Sequence, residues 1–147
     1  AALDRLDGAD QGPFDAVTFT RYGWEDLDLD HRLRGLGATR QRCPAAFGYH
    51  LCPPFSPKAM TAMLAKEADR AAMALRLLDK HPTFGIRMII QKTPAHRLVW
   101  EIFSLGGLLN ARRLGPLLGW LADRGQNHLA EVIARHAILN PAYVRHL

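Results

Sequence analysis

A mainly α-helical chain with a small extended remnant is the architecture that the sequence predicts. Two observations lead there. After Pro53-Pro54 the chain carries the helix-start pairs Ser56-Pro57, Thr93-Pro94 and Asn140-Pro141, with apolar residues at helical spacing between them. Before that point, only two short stretches read as extended, Ala38–Cys43 and Ala45–Leu51, on either side of Pro44.

The elements follow in chain order. Residues 1–23 are rich in Gly, Asp and Pro and read as loop, with a turn at Gly12-Pro13-Phe14-Asp15. From Glu25 to Leu36, the leucines at 29, 33 and 36 fall on one helical face, and Gly35 and Gly37 sit at its end. Of the two extended pieces, the second is the clearer, because Phe47 and Tyr49 alternate with Gly48. Ser56-Pro57 starts a long helix whose stripe is Met60, Met63, Leu64, Ala71, Leu75 and Leu78, ending at His81-Pro82. A second helix runs from Thr93-Pro94 to about Leu105, and Gly106-Gly107 breaks it. Further helices cover about Asn110 to Asp123 and Gln126 to Leu139, and Asn140-Pro141 opens a last turn.

Bulk properties narrow the class. The 147 residues fit one ordinary domain, and 48% are hydrophobic, enough to bury a core. No basic region followed by an apolar run opens the chain, so its start does not read as a signal peptide. A fragment of a longer chain is the expected origin, since the first residue is Ala1. No window holds the roughly 18 apolar residues of a membrane span. Cys43 and Cys52 lack metal-ligand spacing and read as buried free thiols in a reducing cytoplasm. Residues 1–55 carry eight acidic and six basic side chains; residues 56–147 carry six acidic and thirteen basic ones. Solvated helix faces explain that asymmetry, and so does a negatively charged partner for the second part.

Chemistry concentrates in Arg21-Tyr22-Gly23-Trp24-Glu25-Asp26-Leu27-Asp28-Leu29-Asp30-His31-Arg32-Leu33. Adjacent acids follow an aromatic-Gly-aromatic turn and open a helix, where free amides and the helix dipole favour negative charge. A carboxylate at such a junction can take the proton of a substrate hydroxyl. It can equally serve as an ordinary acid in a first helical turn. Asp26-x-Asp28-x-Asp30 is not read as a metal pair, because residues two apart on a helix diverge by about 200°. His31, His81, His96, His128, His136 and His146 read as surface or capping residues. Arg112-Arg113 among Leu108, Leu109, Leu114, Leu117, Leu118 and Leu121 marks an amphipathic helix, for core packing or for a membrane surface.

Taken in order, Gly12-Pro13-Phe14-Asp15, Phe19, Tyr22-Gly23-Trp24-Glu25-Asp26-Leu27-Asp28-Leu29, Arg32-Leu33, Gly37, Pro44-Ala45-Ala46 and His50 resemble the acceptor-side motif of family-2 glycosyltransferases with the GT-A fold. The resemblance covers roughly residues 8–55 and extends more loosely through Lys80-His81-Pro82 to the C-terminus. Pro13 and Ala16 depart from the family's second glycine and its acid, and Asp30 stands where a glycine is frequent.

This resemblance implies an α/β GT-A fold of which the chain is the C-terminal portion. Residues 1–55 would be the acceptor-side part of the catalytic domain, and 56–147 a helical region. It implies an inverting transfer from a nucleotide-sugar donor to a sugar or lipid-linked acceptor. Asp26 would be the general base, with Trp24, Glu25 and Tyr22 binding the acceptor. His50 stands where relatives place a histidine that ligates metal or touches the diphosphate. A divalent cation, Mn or Mg, would be held mainly by a nucleotide-binding half that these residues do not supply. The expected location is cytoplasmic, at the inner face of the membrane, with peripheral membrane contact and self-association of the fragment. No nucleic acid partner is expected. The competing reading is a non-enzymatic basic helical module that binds an anionic membrane surface or nucleic acid.

Overall fold

The computed structural model describes residues 13–49 and 54–147, and its regular structure there is entirely helical. Helix α1 covers Glu25–Gly35, as the leucine spacing predicts. Its end is closed by Gly37 N–H to Arg34 O and Ala38 N–H to Leu33 O, with Gly37 at φ 84°. Only glycine takes that left-handed turn without steric cost, so the helix stops there.

The extended remnant is corrected. Ala38–Cys43 and the described part of Ala45–Leu51 form no strand. Their side chains lie almost wholly in solvent, and a turn from Ala46 N–H to Cys43 O folds the segment back. A strand needs a neighbour for its backbone groups, and none lies alongside among the described residues. Cys43 is a free thiol and exposed, not buried as expected, while Cys52 lies outside the described residues.

A 3-10 turn at Pro57–Ala59 leads into α2, Met60–Lys80. Ser56 makes no side-chain cap; the tight turn takes up the strain of starting instead. At about 1.5 Å per residue α2 is roughly 31 Å long. Its two ends therefore serve two cores. The first half places Met60, Met63 and Leu64 against Phe55, Leu118, Leu121, Ala130, Ala134 and Leu139. The second half places Ala71, Ala74 and Leu77 against Phe19, Ile86, Ile90 and Tyr143. The expected stripe drifts accordingly: Leu77 is fully buried, whereas Leu75 and Leu78 are only half-buried. Phe19, Trp24 and Leu27 join the second of these cores, so the N-terminal segment is packed on α2.

Five helices and a widened turn complete the described chain. Helix α3, Phe84–Ile89, was not anticipated; Thr83 caps it by accepting from Ile86 N–H. Helix α4, Pro94–Phe103, starts where Thr93 accepts from His96 N–H, and α5, Ala111–Asp123, where Asn110 accepts from Arg113 N–H. Helix α6, Asn127–Ala134, runs through a π turn, Arg135–Leu139, into α7, Asn140–Arg145. Asn140-Pro141 therefore starts no new cap. Asn140 is helical and its N–H reaches back five residues to Arg135 O, a widening that lets the chain pass a proline inside a helix. No helix among the described residues is long and apolar enough to cross a membrane.

One buried charge ties the N-terminal segment to α2. Asp28 on α1 is fully buried. Its Oδ2 accepts from Arg32 Nε at 2.8 Å and Lys80 Nζ at 3.1 Å, and its Oδ1 from His81 Nε2 at 2.8 Å. Lys80 also donates to Asp15 Oδ2 at 2.7 Å, and Asp15, likewise buried, accepts from Thr18 N–H at 2.9 Å. Arg32 Nη2 donates to Pro13 O at 2.6 Å, and His31 stacks on His81 at 4.0 Å. His81 stands at the capping position at the end of α2, as expected, and is in addition a partner of a buried acid.

Burial pushes both carboxyls up, but the bonds outweigh it. Hydrogen bonds from His81 and Lys80, the Lys80 charge and a bond from Arg32 hold Asp28 below the ordinary carboxylate value. Lys80 and Thr18 do the same, more strongly, for Asp15. The unfolded chain takes up protons at about pH 3.9, the fold only at lower pH, so the unfolded state binds more protons in between. The stabilisation is complete above about pH 5 and is lost as pH falls through the folded values. Thermal melts between pH 3 and 7 should show a steep loss of Tm below about pH 4. Asp28→Asn should lower stability by about 3 kcal/mol at pH 7 and flatten that acid dependence.

Candidate functional site

A strained turn builds the candidate site. Gly23 sits at φ 112° and Trp24 at φ 76°, two successive residues with positive φ. For tryptophan this conformation costs on the order of 1 kcal/mol. It persists because the indole is held: Trp24 Nε1–H donates to Arg70 O at 2.8 Å, and the ring packs against Tyr143 at 6.5 Å. Tyr143 is itself fixed, with its hydroxyl donating to Ile90 O at 2.8 Å and the Arg70 guanidinium 4.2 Å over its ring. Burial pushes the Tyr143 hydroxyl well above its ordinary pKa, so it stays a neutral donor.

The chain leaves this turn directly into α1, and Glu25 and Asp26 occupy its first turn. With Phe14, Tyr22, Gly23, Trp24 and Arg70 they line an open hollow of about 380 Å³. Four of the residues singled out by sequence, Tyr22, Trp24, Glu25 and Asp26, are thereby brought together. The fifth, His50, lies outside the described residues. Asp26 is exposed, and its Oδ1 accepts from the Leu27 N–H at 2.8 Å. Trp24 is half-buried and serves as a fixed wall whose indole N–H is already engaged. The three acids in register go three ways: Asp26 to the hollow, Asp28 into the core, and Asp30 to Arg34 and Arg40.

Among the described residues, two buried polar atoms of the side chains that line this hollow have no hydrogen-bond partner. Glu25 Oε2 and Arg70 Nε are both buried and unbonded. Such groups cost free energy unless something satisfies them. A hydroxyl group can do both jobs, accepting from the guanidinium N–H and donating to the carboxylate.

Arg70 belongs to α2 and has no local signal in sequence; only the fold brings it to Glu25. Arg70 and Tyr22 also border a neighbouring hollow of about 420 Å³, lined further by Phe55, Lys66, Glu67 and Arg135. Lys66 lies 3.9 Å over the Tyr22 ring, and Arg70 pairs with Glu67 at 2.9 Å. Burial raises the pKa of Glu67, against the pull of Arg70, Arg135 and Lys66. Among the described residues no group of three or more His, Cys, Asp or Glu is placed to hold a metal ion.

Comparison with family models, curated proteins and solved structures gives no match to this chain.

The turn itself can be tested. A Cβ on Gly23 would lie 3.2 Å from Arg70 Cγ, in a backbone conformation that side chains resist. Gly23→Ala should cost about 1–3 kcal/mol, measured by urea unfolding. Wild-type stability in that variant would mean that the turn relaxes freely.

Proposed function

We propose that this chain forms the acceptor side of an inverting, nucleotide-sugar-dependent glycosyltransferase of the family-2 type. One observation carries the reading. A hollow at a turn–helix junction is lined by an exposed carboxylate, Asp26, beside the unpartnered buried atoms Glu25 Oε2 and Arg70 Nε. A sugar offers adjacent hydroxyls that both donate and accept, and apolar ring faces that suit aromatic walls such as Phe14 and Tyr22.

In this reading one acceptor hydroxyl lies against Asp26, which removes its proton as the oxygen attacks the sugar carbon. Attack from the face opposite the leaving nucleotide inverts that carbon. A neighbouring hydroxyl bridges Glu25 and Arg70 and orients the acceptor. Trp24 keeps the wall in place through its bond to Arg70 O. The donor, its divalent cation and the GT-A sheet would come from a nucleotide-binding half of the parent protein. When bound, the cation neutralises the departing diphosphate.

In the complete enzyme, assayed with a panel of nucleotide sugars, Asp26→Asn should lower kcat by about 10²-fold or more and leave donor affinity unchanged. Transfer at the wild-type rate would remove Asp26 as the base. Glu25→Gln should instead raise the acceptor KM by about tenfold with a smaller effect on kcat.

A further inference from the structure

The hollow beside the candidate site is lined by charge. Lys66, Glu67 and Arg70 reach it from α2, Glu131 from α6 and Arg135 from the π turn that follows. Tyr22, 52% exposed, and Arg70 line both hollows, so the two lie side by side with a common wall. Lys66 Nζ rests 3.9 Å over the Tyr22 ring and steadies that wall. Arg135 opens the π turn and Leu139 closes it, and both line the second hollow. Widened turns of this kind are frequent at functional sites.

Among the described residues, three buried side-chain atoms have no hydrogen-bond partner: Glu25 Oε2, Glu67 Oε2 and Arg70 Nε. All three belong to residues that line these two hollows. Arg70 Nη2 comes within 2.9 Å of Glu67 Oε2, but without hydrogen-bond alignment. A native fold leaves few buried polar atoms unpaired, so three gathered in one place are the signature of a site for a polar ligand.

Charge narrows the class of that ligand. Across the two hollows Lys66, Arg70 and Arg135 stand against Glu25, Asp26, Glu67 and Glu131, and Arg135 is already paired with Glu131 at 2.7 Å. Neither sign prevails, so nothing here would attract a polyanion such as nucleic acid. Hydroxyl groups fit instead, since each can donate to a carboxylate and accept from a guanidinium or ammonium. The hollows measure about 380 and 420 Å³. Each alone falls within the roughly 300–1,000 Å³ of a small-molecule site, which leaves room for one sugar ring apiece.

We propose that the two hollows together bind an uncharged oligosaccharide of at least two units. The terminal unit lies against Asp26, the next against Glu67 and Arg135, and Tyr22 stands between them. This names the substrate class for the acceptor site and rests on the reading of the first hollow given above.

The test is an NMR titration of the 147-residue chain with neutral mono-, di- and trisaccharides of glucose, galactose, mannose and rhamnose. In at least one series the disaccharide should bind about tenfold more tightly than the monosaccharide, the gain expected from one added hydrogen bond to a charged group. Arg135→Gln, at an exposed position, should remove most of that gain, and Glu67→Gln should do the same. Equal affinity at every length in all series would overturn the proposal, and so would an absence of binding throughout the panel. Full disaccharide affinity in both variants would overturn it as well. Tighter binding of sulfated or uronic disaccharides, lost as salt is raised, would assign the second hollow to an anion and overturn it equally. In the complete enzyme, Asp26-dependent transfer with the same kcat/KM for mono- and disaccharide acceptors would remove the second subsite and keep the reaction. Length-dependent binding without any transfer would support the groove and remove the reaction alone.

Discussion

The carboxylate of Asp28 has left water completely, and three donors from two separate parts of the chain replace the solvent it lost. An uncompensated charge in that position would cost several kcal/mol. The chain therefore cannot move α1 off the end of α2 without exposing an acid and stranding Lys80 between Asp15 and Asp28. Residues 13–15 are tied to the same point, since Arg32 also holds Pro13 O and Lys80 also holds Asp15. A buried ion cluster of this kind is weak evidence of net stability, but it fixes geometry, because few other arrangements satisfy all its partners.

That geometry is what the strained turn leans on. With α1 docked by Asp28 and the Trp24 indole held by Arg70 O, the two residues with positive φ have no freedom to unwind. The carboxylates of Glu25 and Asp26 are then presented from a rigid first turn instead of a mobile loop. Arg70 links the parts: its carbonyl holds Trp24, its guanidinium covers Tyr143 and pairs with Glu67, and its Nε borders the hollow. One residue on the long helix thus supports the turn and contributes to the pocket wall.

Much of this was legible in sequence where the signal is local. Thr93, Asn110 and the Gly35-Leu36-Gly37 ending act within a few residues, and the helices begin and end where those signals fall. Tyr22, Trp24, Glu25 and Asp26 meet because they are neighbours in the chain. The Asp28–Lys80–Asp15 cluster was not legible, since its members lie 52 and 65 residues apart and each reads alone as a surface charge. Arg70 was hidden for the same reason. The turn at Asn140-Pro141 misled because the signal that starts a helix is also tolerated inside one when the preceding turn widens. Helix α4 marks another limit: periodicity reports that a face is apolar but not what covers it, and Leu98 and Ile102 are exposed. Residues 38–49, read from sequence as extended pieces, show the same limit, because a strand exists only with a neighbour.

The most direct measurement is a carbon-13 NMR titration of the aspartate carboxyl groups in the intact chain. The carboxyls of Asp28 and Asp15 are expected to keep the chemical shift of the ionised form as pH is lowered past about 3.9, the ordinary aspartate value. They should protonate only as the fold is lost. A midpoint for Asp28 at or above that ordinary value, in a chain that remains folded, would mean that the three donors do not compensate its burial. The placement of α1, and with it the whole account of the site, would then be wrong.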